Sequence, residues 1–376
     1  MSFIKSVAVV GAGTMGHGIA EVCAIAGYRV SLLDVDEGAL QAALGRIRAS
    51  LEKLRSKRNI DVDRVMGMIS ATTGFAGVSD ADLIIEAVPE RYDVKESTLR
   101  AIATNAKEDA IIATNTSTMP ITELARAMGR PWRFAGTHFF NPPVLMKLVE
   151  ITKGNETQSD VVDELHGFSI KIGKEPIIVR RDVPGFVVNR LLGRLYNTAC
   201  LLVTGGNTVE EVDATAKYVL GFPMGCFELA DFSGLDIISS MMKILGENGF
   251  TERVCGIFEE KAKAGLLGVK TGSGFYTYSQ SRPNIPREMA GRVDPLALIA
   301  PMINEGAWLI GNGVAAEDDL DKAFTLGLGY PRGFSGYVSE YKVDAIIKEL
   351  RALRESTGLS EYEPDEHLLE MEKSGR

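Results

Sequence analysis

Short apolar runs alternate with longer amphipathic stretches in the first half of the chain. Residues 6–10 form a continuous apolar run that ends at Gly11, which is typical of a strand buried on both faces of a sheet. A helix is predicted over 14–26, with Gly27 as its stop, and a second strand over 29–33. Further strands are predicted at 82–86, 110–114, 134–137 and 147–151. This alternation predicts an α/β fold with an open, mostly parallel sheet and helices on both faces.

The pattern changes near Asp182. From Val183 onwards the strand signals fade and long helical patterns dominate, with Pro184 and Gly185 at the junction. We therefore predict a first domain over 1–182, followed by a mostly helical part.

The helical part contains an internal repeat. Residues 196–238 align with 304–346 at a constant offset of 108 without a gap. Matched pairs are Asp213 with Asp321, Gly221 with Gly329, Pro223 with Pro331, Gly225 with Gly333, and Asp236 with Asp344. We predict a duplicated helical domain, with one copy at 183–280, an incomplete second copy at 295–376, and a linker at 279–294.

A glycine-rich turn follows the first predicted strand. Residues 11–16 match GxGxxG, and the motif opens a helix, as a dinucleotide-binding turn requires. Gly11 permits the tight turn, Gly13 lets the backbone approach a pyrophosphate, and Gly16 allows close helix–strand packing. The first domain is therefore predicted to be a doubly wound sheet of Rossmann type.

The motif and the second strand together predict the cofactor. Thr14 and Met15 begin the helix whose free N–H groups favour phosphate. Asp34 ends the second strand, where a carboxylate accepts hydrogen bonds from ribose hydroxyls and repels a 2′-phosphate, so NAD is predicted over NADP. A flavin dinucleotide and a simple turn with a surface Asp are the alternatives.

Composition excludes some classes of protein. The chain has 376 residues, 45% hydrophobic and 24% charged, and a formal net charge of −9, which argues against a nucleic-acid or acidic-membrane binder. No leader and no apolar run of transmembrane length are present, so a cytoplasmic protein is expected. The four cysteines are widely spaced without a CxxC pair, so neither a metal site nor a disulfide framework is expected.

One of the four histidines is placed for acid–base chemistry. His138 ends a predicted strand, and ligands of open α/β sheets bind at the carboxyl ends of strands. Twelve residues later, Glu150 lies within an apolar strand, where a carboxylate is costly unless paired. An imidazole partner would satisfy it and be oriented by it. A salt bridge from Glu150 to Lys147 is the alternative.

A set of motifs resembles the 3-hydroxyacyl-CoA dehydrogenases over about residues 3–280. They occur in the order GAGTMGHGIA, EAVPE, NTST, THFFNPP, KLVEI, PGFVVNRLL and GFPMGCFELADFSGLD. The resemblance implies NAD-dependent oxidation of a 3-hydroxyacyl-CoA, such as 3-hydroxybutyryl-CoA, with His138 and Glu150 as the catalytic pair.

The resemblance also implies roles for polar residues near that pair. Ser117 would hydrogen-bond the substrate oxygen, and Asn189 would help hold the reacting carbonyl and the histidine. Further residues would line the nicotinamide side of the pocket: Glu90, Lys95, Asn115 and Asn141. A turn position for Ser117 and a helix-surface position for Asn189 are the structural alternatives.

Residues 46–58 form a basic segment in an acidic chain, with six cations and the single acid Glu52. By the resemblance, Ser50 and Lys57 fall where the family contacts coenzyme A, whose phosphates need cations. A solvated helix face is the alternative.

The repeat predicts how the helical copies pack. Single-copy relatives pair through this domain, so 295–376 is expected to pack against 183–280 as a second subunit would, about an approximate two-fold axis. Trp308 and Leu309 are the candidates for the buried face, and a monomer or a homodimer is expected. The position 108 after Asn189 is Ala297, so the second copy is not expected to form a second site. A dehydrogenase of a free hydroxy acid or sugar acid, and a non-catalytic NAD-binding protein, are the competing functions.

Overall fold

A computed structural model describes residues 4–251, 253–278 and 282–375, and of Lys57 and Arg58 only the backbone. The chain divides into two compact units, Met1–Val183 and Pro184–Arg376.

The first unit is an α/β layer structure. Its strands are β1 Ser6–Val10, β2 Arg29–Leu33, β3 Ile69–Thr72, β4 Leu83–Glu86, β5 Ile111–Thr114, β6 Phe134–Phe139, β7 Leu148–Lys153 and β8 Glu175–Val179. Its helices are α1 Thr14–Ile25, α2 Glu37–Arg58, α3 Val62–Met66, α4 Tyr92–Asn105, α5 Ile121–Arg126 and α6 Ser159–Lys171. The strands form one sheet in the order β3-β2-β1-β4-β5-β6-β7-β8. The predicted α/β fold with a mostly parallel sheet is confirmed, with one antiparallel pairing, between β6 and β7.

The strands that sequence patterns failed to predict are the two edges of this sheet, β3 and β8. Strand β3 has the sequence ISAT and no fully buried residue. It lies at the edge of the sheet, where few apolar neighbours cover it. Strand β8 contains Pro176, which cannot donate to a ladder and suits an edge. By contrast, the central strands β4 and β5 are buried at every position, and their apolar runs made them predictable.

The second unit is helical. Its α-helices are α7 Val188–Thr204, α8 Val209–Tyr218, α9 Cys226–Ser233, α10 Leu235–Glu247, α11 Ile257–Lys263, α12 Pro295–Gly311, α13 Glu317–Lys322, α14 Phe334–Tyr341, α15 Val343–Thr357 and α16 Glu366–Lys373. We refer to α7–α11 as the first copy and to α12–α16 as the second copy. Within the described part of the chain, no helix has both the length and the hydrophobicity that a membrane crossing requires.

The first helix of each copy carries an asparagine whose side chain makes the same two backbone hydrogen bonds, which we call the clasp. Asn197 of α7 donates its amide to Arg253 O and accepts from the N–H of Cys255. Asn304 of α12 makes the matching pair of hydrogen bonds. Its amide donates to Glu363 O, and its side-chain oxygen accepts the N–H of Asp365. These equivalent asparagines are 107 residues apart. The constant offset of 108 is therefore wrong for this helix, because one residue of spacing differs in the turn that follows it.

Later positions keep the predicted offset and meet across the two copies. The rings of Phe222 and Tyr330 stack at 3.6 Å between centroids, nearly parallel. A Cβ on Gly221 would lie 3.3 Å from Pro331, and one on Gly329 would lie 3.5 Å from Pro223. Such reciprocal contacts between matched residues are those of a two-fold interface.

The segment between the copies packs against α8. Tyr218 donates its hydroxyl to Ile285 O, and Thr215 accepts the N–H of Gly291, so the described part of the predicted linker 279–294 is held in place. Residues 279–281 lie outside the described residues.

One disulfide contradicts the expectation drawn from cysteine spacing. Cys200 of α7 and Cys255, just before α11, are bonded with their Cα atoms 6.1 Å apart. Their separation of 55 residues along the chain hid this, since tertiary packing of α11 on α7 brings them together. Cys23 and Cys226 are free and buried.

Candidate active site

The predicted acid–base pair forms across the antiparallel strands. His138 of β6 and Glu150 of β7 are directly opposite in the ladder, so their side chains share one face. His138 Nδ1 lies 2.7 Å from Glu150 Oε2. Glu150 is fully buried and His138 is nearly so. A carboxylate only accepts, so Nδ1 carries the hydrogen and Nε2 is the nitrogen left for acid–base exchange.

The alternative partner of Glu150 is engaged elsewhere. Lys147 Nζ lies 3.6 Å from Glu175 Oε1 on the sheet edge, and both side chains are largely exposed. Lys147 sits at the exposed start of the β7 segment, whereas Glu150 points into the buried ladder.

The loop after β5 approaches the end of β6. Asn115 accepts the backbone N–H of Phe139 through its side-chain oxygen at 2.8 Å, next to His138. Because β5 and β6 are parallel neighbours, their carboxyl ends meet at one edge. Asn141 lies just past β6 and is exposed.

The same loop is anchored by Glu90. Glu90 Oε1 accepts the hydroxyl of Thr116 at 2.5 Å and the backbone N–H of Ser117 at 3.0 Å. Lys95 Nζ lies 3.1 Å from Glu90 Oε2 and 2.8 Å from Glu86 Oε1. The Ser117 loop is thereby tied to α4 through a chain of charged hydrogen bonds.

The charges of this network keep one another ionised. Burial would raise the pKa of Glu90, but the Lys95 ammonium and the donors Thr116 and Ser117 outweigh it, and the pKa is lowered. Burial likewise would lower the pKa of Lys95, yet the carboxylates of Glu86 and Glu90 raise it. Both groups are therefore charged near neutral pH.

The glycine-rich turn has the shape that the sequence predicts. Gly11 has φ +107°, and a Cβ there would lie 2.5 Å from Ala87 O. A Cβ on Gly16 would overlap the carbonyl of Gly11, so only glycine lets α1 pass this close to the turn. A Cβ on Gly13 would meet nothing within 4 Å, which leaves that backbone open to a ligand. Thr14 begins α1, and Met15 packs against the core.

Asp34 lies beside this turn. Its Oδ2 accepts the N–H of Ala12 at 2.7 Å, and its Oδ1 accepts the N–H of Asp36 at 3.1 Å. Arg46 of α2 donates to Ala12 O at 3.0 Å from the other side. The turn, the end of β2 and the middle of α2 therefore form one rim, and these residues fit a dinucleotide.

The basic segment lies on α2. Three of its cations have partners within the first unit: Arg46 on the glycine turn, Arg48 with Asp63, and Arg55 with Glu52. Ser50 is half-buried on the same helix. The side chain of Lys57 lies outside the described residues.

Sequence reasoning missed three members of the Glu90 network. They are Glu86, Thr114 and Thr116. Thr114 donates its hydroxyl to Glu86 Oε2 at 2.6 Å, at the ends of the adjacent strands β5 and β4. The argument used for Glu150, that a carboxylate in an apolar strand needs a partner, applies equally to Glu86 and would have found it.

The remaining candidate lies in the other unit. Asn189 is the second residue of α7, at the start of the first copy. The structure thus gathers His138, Glu150 and Asn115 in one group and Glu90, Lys95 and Ser117 in an adjoining one within the first unit.

Comparison with known proteins identifies the family of this chain. Residues 6–183 match the NAD-binding domain model of 3-hydroxyacyl-CoA dehydrogenase, and 185–278 and 297–376 match the C-terminal domain model of the same family. A 3-hydroxybutyryl-CoA dehydrogenase of Bradyrhizobium diazoefficiens is 39% identical over 287 residues, covering 74% of this chain and 97% of that protein.

Two solved structures are also similar. A 3-hydroxybutyryl-CoA dehydrogenase from Escherichia coli has a TM-score of 0.89 at 27% identity and covers 99% of each chain. An (S)-3-hydroxybutyryl-CoA dehydrogenase from Ralstonia eutropha has a TM-score of 0.70 at 38% identity, covering 74% of this chain and 100% of its own.

The fold and the glycine turn define an NAD-dependent dehydrogenase. The chain belongs to the 3-hydroxyacyl-CoA dehydrogenase family, as the resemblance predicted. NAD is its cofactor.

Proposed function

We propose that this chain oxidises the 3-hydroxyl of an (S)-3-hydroxyacyl-CoA to the 3-oxoacyl-CoA, reversibly, with NAD. The observation that carries the proposal is the buried His138–Glu150 pair at the carboxyl edge of a dinucleotide-binding sheet. The hydrogen bond to Nδ1 satisfies the buried carboxylate, and the carboxylate in turn orients the imidazole and stabilises its charged form.

The pair supplies the base. His138 accepts the hydroxyl proton of the substrate at Nε2, while Nδ1 stays hydrogen-bonded to Glu150. Glu150 holds the ring orientation and stabilises the imidazolium that forms. NAD, when bound, would supply the hydride acceptor for the substrate carbon that carries the hydroxyl group. In the reverse direction His138 returns the proton.

The neighbouring polar residues hold the reactants. Ser117, tied to Glu90, directs its hydroxyl to the substrate oxygen, and Asn189 donates to the same developing charge. Glu90 and Lys95 contact the nicotinamide-side ribose, Asn115 lies beside the nicotinamide, and Asn141 lines the pocket. The support is that Asn115 and Ser117 adjoin the end of β6, where His138 lies.

The cofactor end is held by the glycine turn and Asp34. Gly11 and Gly16 allow the tight turn and the close approach of α1, and Gly13 leaves the backbone open for a pyrophosphate at the start of α1. Asp34 binds the adenosine ribose and disfavours a 2′-phosphate, so NAD is used in preference to NADP.

Helix α2 holds coenzyme A through Ser50 and Lys57. Three cations of the segment, Arg46, Arg48 and Arg55, are engaged within the first unit, and Lys57 is chosen for the test because the family resemblance points to it. Charge reversal at Lys57 should raise the Michaelis constant for acyl-CoA, most clearly at low salt. If the constant is unchanged, the basic segment is only a solvated helix face.

The helical part is a duplicated domain whose second copy takes the place of a partner subunit. The reciprocal contacts of Gly221 with Pro331 and of Gly329 with Pro223 support this role. Leu309 is buried, and the ring of Trp308 packs on Arg190 of the first copy, as expected for a pairing face. The chain is therefore proposed to act as a monomer.

The test is NADH formation from (S)-3-hydroxybutyryl-CoA, followed at 340 nm, with free 3-hydroxybutyrate and NADP as comparison arms. His138→Gln should reduce kcat by about 10²–10⁴-fold while leaving NAD binding nearly intact. Faster turnover of the free acid would favour the hydroxy-acid alternative. Near-normal kcat in His138→Gln would remove His138 as the base.

A further inference from the structure

A buried ion pair joins the second copy to the helix that carries Asn189. Glu305 of α12 lies between two arginines of α7: its Oε1 accepts from Arg190 Nε at 2.6 Å, and its Oε2 accepts from Arg194 Nε at 2.8 Å. Glu305 is 3% exposed and Arg190 is 7% exposed. Three ionised groups are thus kept away from water in one place.

The surroundings fix the arginines further. The Arg190 guanidinium lies 4.4 Å from the ring centre of Trp308 and 4.9 Å from that of Phe250. Burial would raise the pKa of Glu305, but Arg190 and Arg194 outweigh it and lower the pKa. Glu305 is therefore a carboxylate at every pH at which the enzyme would work.

The pair is present on one side of the two-fold relation only. With the offset of 107 that holds for α7 and α12, the equivalent positions are Ala297 for Arg190, Pro301 for Arg194, and Thr198 for Glu305. The Gly–Pro contacts recur on both sides, whereas this ion pair is made with α7, the helix that carries Asn189.

The start of α7 needs such an anchor. Gly185 and Phe186 both have positive φ, 78° and 52°, so the chain turns sharply just before the helix. For Phe186 this conformation is unfavourable and persists only if neighbours hold it. Arg190 also donates to Pro184 O at 3.5 Å, and so links the turn, the first helical turn and Glu305.

We infer that Glu305 is a positioning residue for the reaction, acting from the second copy through Arg190 to set the place of Asn189. The inference rests on the proposed role of Asn189 in turnover. Removing the charge of Glu305 takes away the carboxylate that pairs with the buried Arg190, whereas Arg194 keeps Glu361 at 3.7 Å. The first turn of α7, which carries Arg190, then relaxes towards water. Small displacements of a reacting group cost large factors in rate.

A double-mutant cycle tests this. Glu305→Gln should lower kcat about 10-fold, with the KM for NAD unchanged because the glycine turn lies in the first unit. In an Asn189→Ala background the same change should cost less than about 2-fold, because Glu305 acts through the group already removed. Thr198→Val, at the related position of the interface, is the matched control and should leave kcat within about 2-fold of the parent.

The outcomes separate the two proposals. If Asn189→Ala alone leaves kcat unchanged, the proposed role of Asn189 is wrong, whatever Glu305 does. If Asn189→Ala is slow but Glu305→Gln is not, or if Glu305→Gln costs the same in both backgrounds, the positioning role is wrong. Should Glu305→Gln fail to fold, Glu305→Asp keeps the charge on a shorter arm, and its loss of kcat is measured in the same cycle.

Discussion

The two helical copies have the same arrangement of helices but differ in the surroundings of one matched aspartate. In the first copy, Asp213 accepts the N–H groups of Phe227 and Glu228 at the start of α9, and the hydroxyl of Tyr276. In the second copy, Asp321 accepts the N–H of Ser335 at the start of α14. Both aspartates thus hold a helix N-terminus in the same way, as the matched Asp positions predicted.

What differs is the closing segment over the first copy. Phe275 packs on Phe227 and Phe258, and the N–H groups of Phe275 and Tyr276 are accepted by Asp231. At the positions of Phe227 and Asp231 the second copy has Ser335 and Ser339.

The Ser335 hydroxyl lies 3.0 Å from Glu317 Oε1 and 3.1 Å from Asp321 Oδ2, and its one hydrogen can go to either carboxylate. In the first copy the Tyr276 hydroxyl donates to Asp213. The comparison teaches that matched aspartates can hold equivalent helix N-termini with different side-chain hydroxyls around them.

Removing the cover should have the largest effect. Deletion of 285–376 would expose Arg190 and Arg194 on α7, and the ring of Phe222 after α8, to water. We expect aggregation or a new dimer, because that face then needs another partner. Light scattering and size-exclusion mass measurement against the intact chain decide this. A soluble, monomeric and fully active truncation would contradict the idea that the second copy replaces a subunit.

The stacked pair at the centre of the interface should come next. Phe222→Ala and Tyr330→Ala each remove a buried ring from the same contact, so each should lower the free energy of unfolding by about 3–5 kcal/mol. Urea unfolding measures both. Unequal losses would show that the contact is less symmetric than the rings suggest.

Tyr330→Phe is the matched control for that pair. Among the described residues, the Tyr330 hydroxyl is buried without a hydrogen-bond partner. Its removal keeps the stack and ends the penalty, so stability should rise by about 1 kcal/mol. A loss of stability instead would indicate a bound water on that hydroxyl.

The catalytic difference between the copies is tested at the start of their first helices. Asn189→Ala should lower kcat by about 10²-fold, the scale of losing one donor to a developing charge. Leu296 is its counterpart at the offset of 107, and Leu296→Ala should leave kcat within about 2-fold. Steady-state rates with saturating NAD measure both. Comparable losses would mean that the second copy takes part in turnover.

Much of this could be predicted from the sequence because the signals were local. Three signals can each be recognised within a few residues: the buried runs of β4 and β5, the glycine turn, and the carboxylate of Glu150 within an apolar strand. The edge strands cannot be recognised in this way, since β3 is too exposed to have an apolar pattern and the apolar run of β8 is short and contains Pro176. The Cys200–Cys255 bond and the Glu305–Arg190 pair depend on how helices pack, which no short window of sequence contains.

The repeat itself shows the limit of alignment by spacing. Matching Asp, Gly and Pro positions located the duplication correctly from Asp213 onwards. The helix before it carries few such landmarks, and the hydrogen-bond clasp of Asn197 and Asn304 was needed to find the shift of one residue. The ungapped offset would have paired Glu305 with Asn197 and hidden the one-sided ion pair.

The smallest expected effect is the part of the pH dependence of stability that comes from Asp213. Burial raises the pKa of Asp213 to about 7, against three hydrogen bonds that lower it. The folded protein then binds this proton more tightly than the unfolded chain does. Stability from Asp213 is therefore present at low pH and is lost as the pH rises from about 4 through about 7.

Asp213→Asn should remove that part of the slope, which for one proton is at most about 1.4 kcal/mol per pH unit. The measurement is the free energy of unfolding in urea at several pH values between 4.5 and 8, compared with the parent chain. The stability of the variant also falls at every pH, because the NH2 group of Asn cannot accept the N–H of Phe227 or Glu228 that one carboxylate oxygen accepts in the parent. Only the slope is therefore diagnostic. Asp321→Asn is the matched change in the second copy and keeps Asp213, so the parent slope should persist. If Asp213→Asn keeps the full slope, the raised pKa of Asp213 does not contribute to it, and if Asp321→Asn loses the slope, the assignment to Asp213 is wrong.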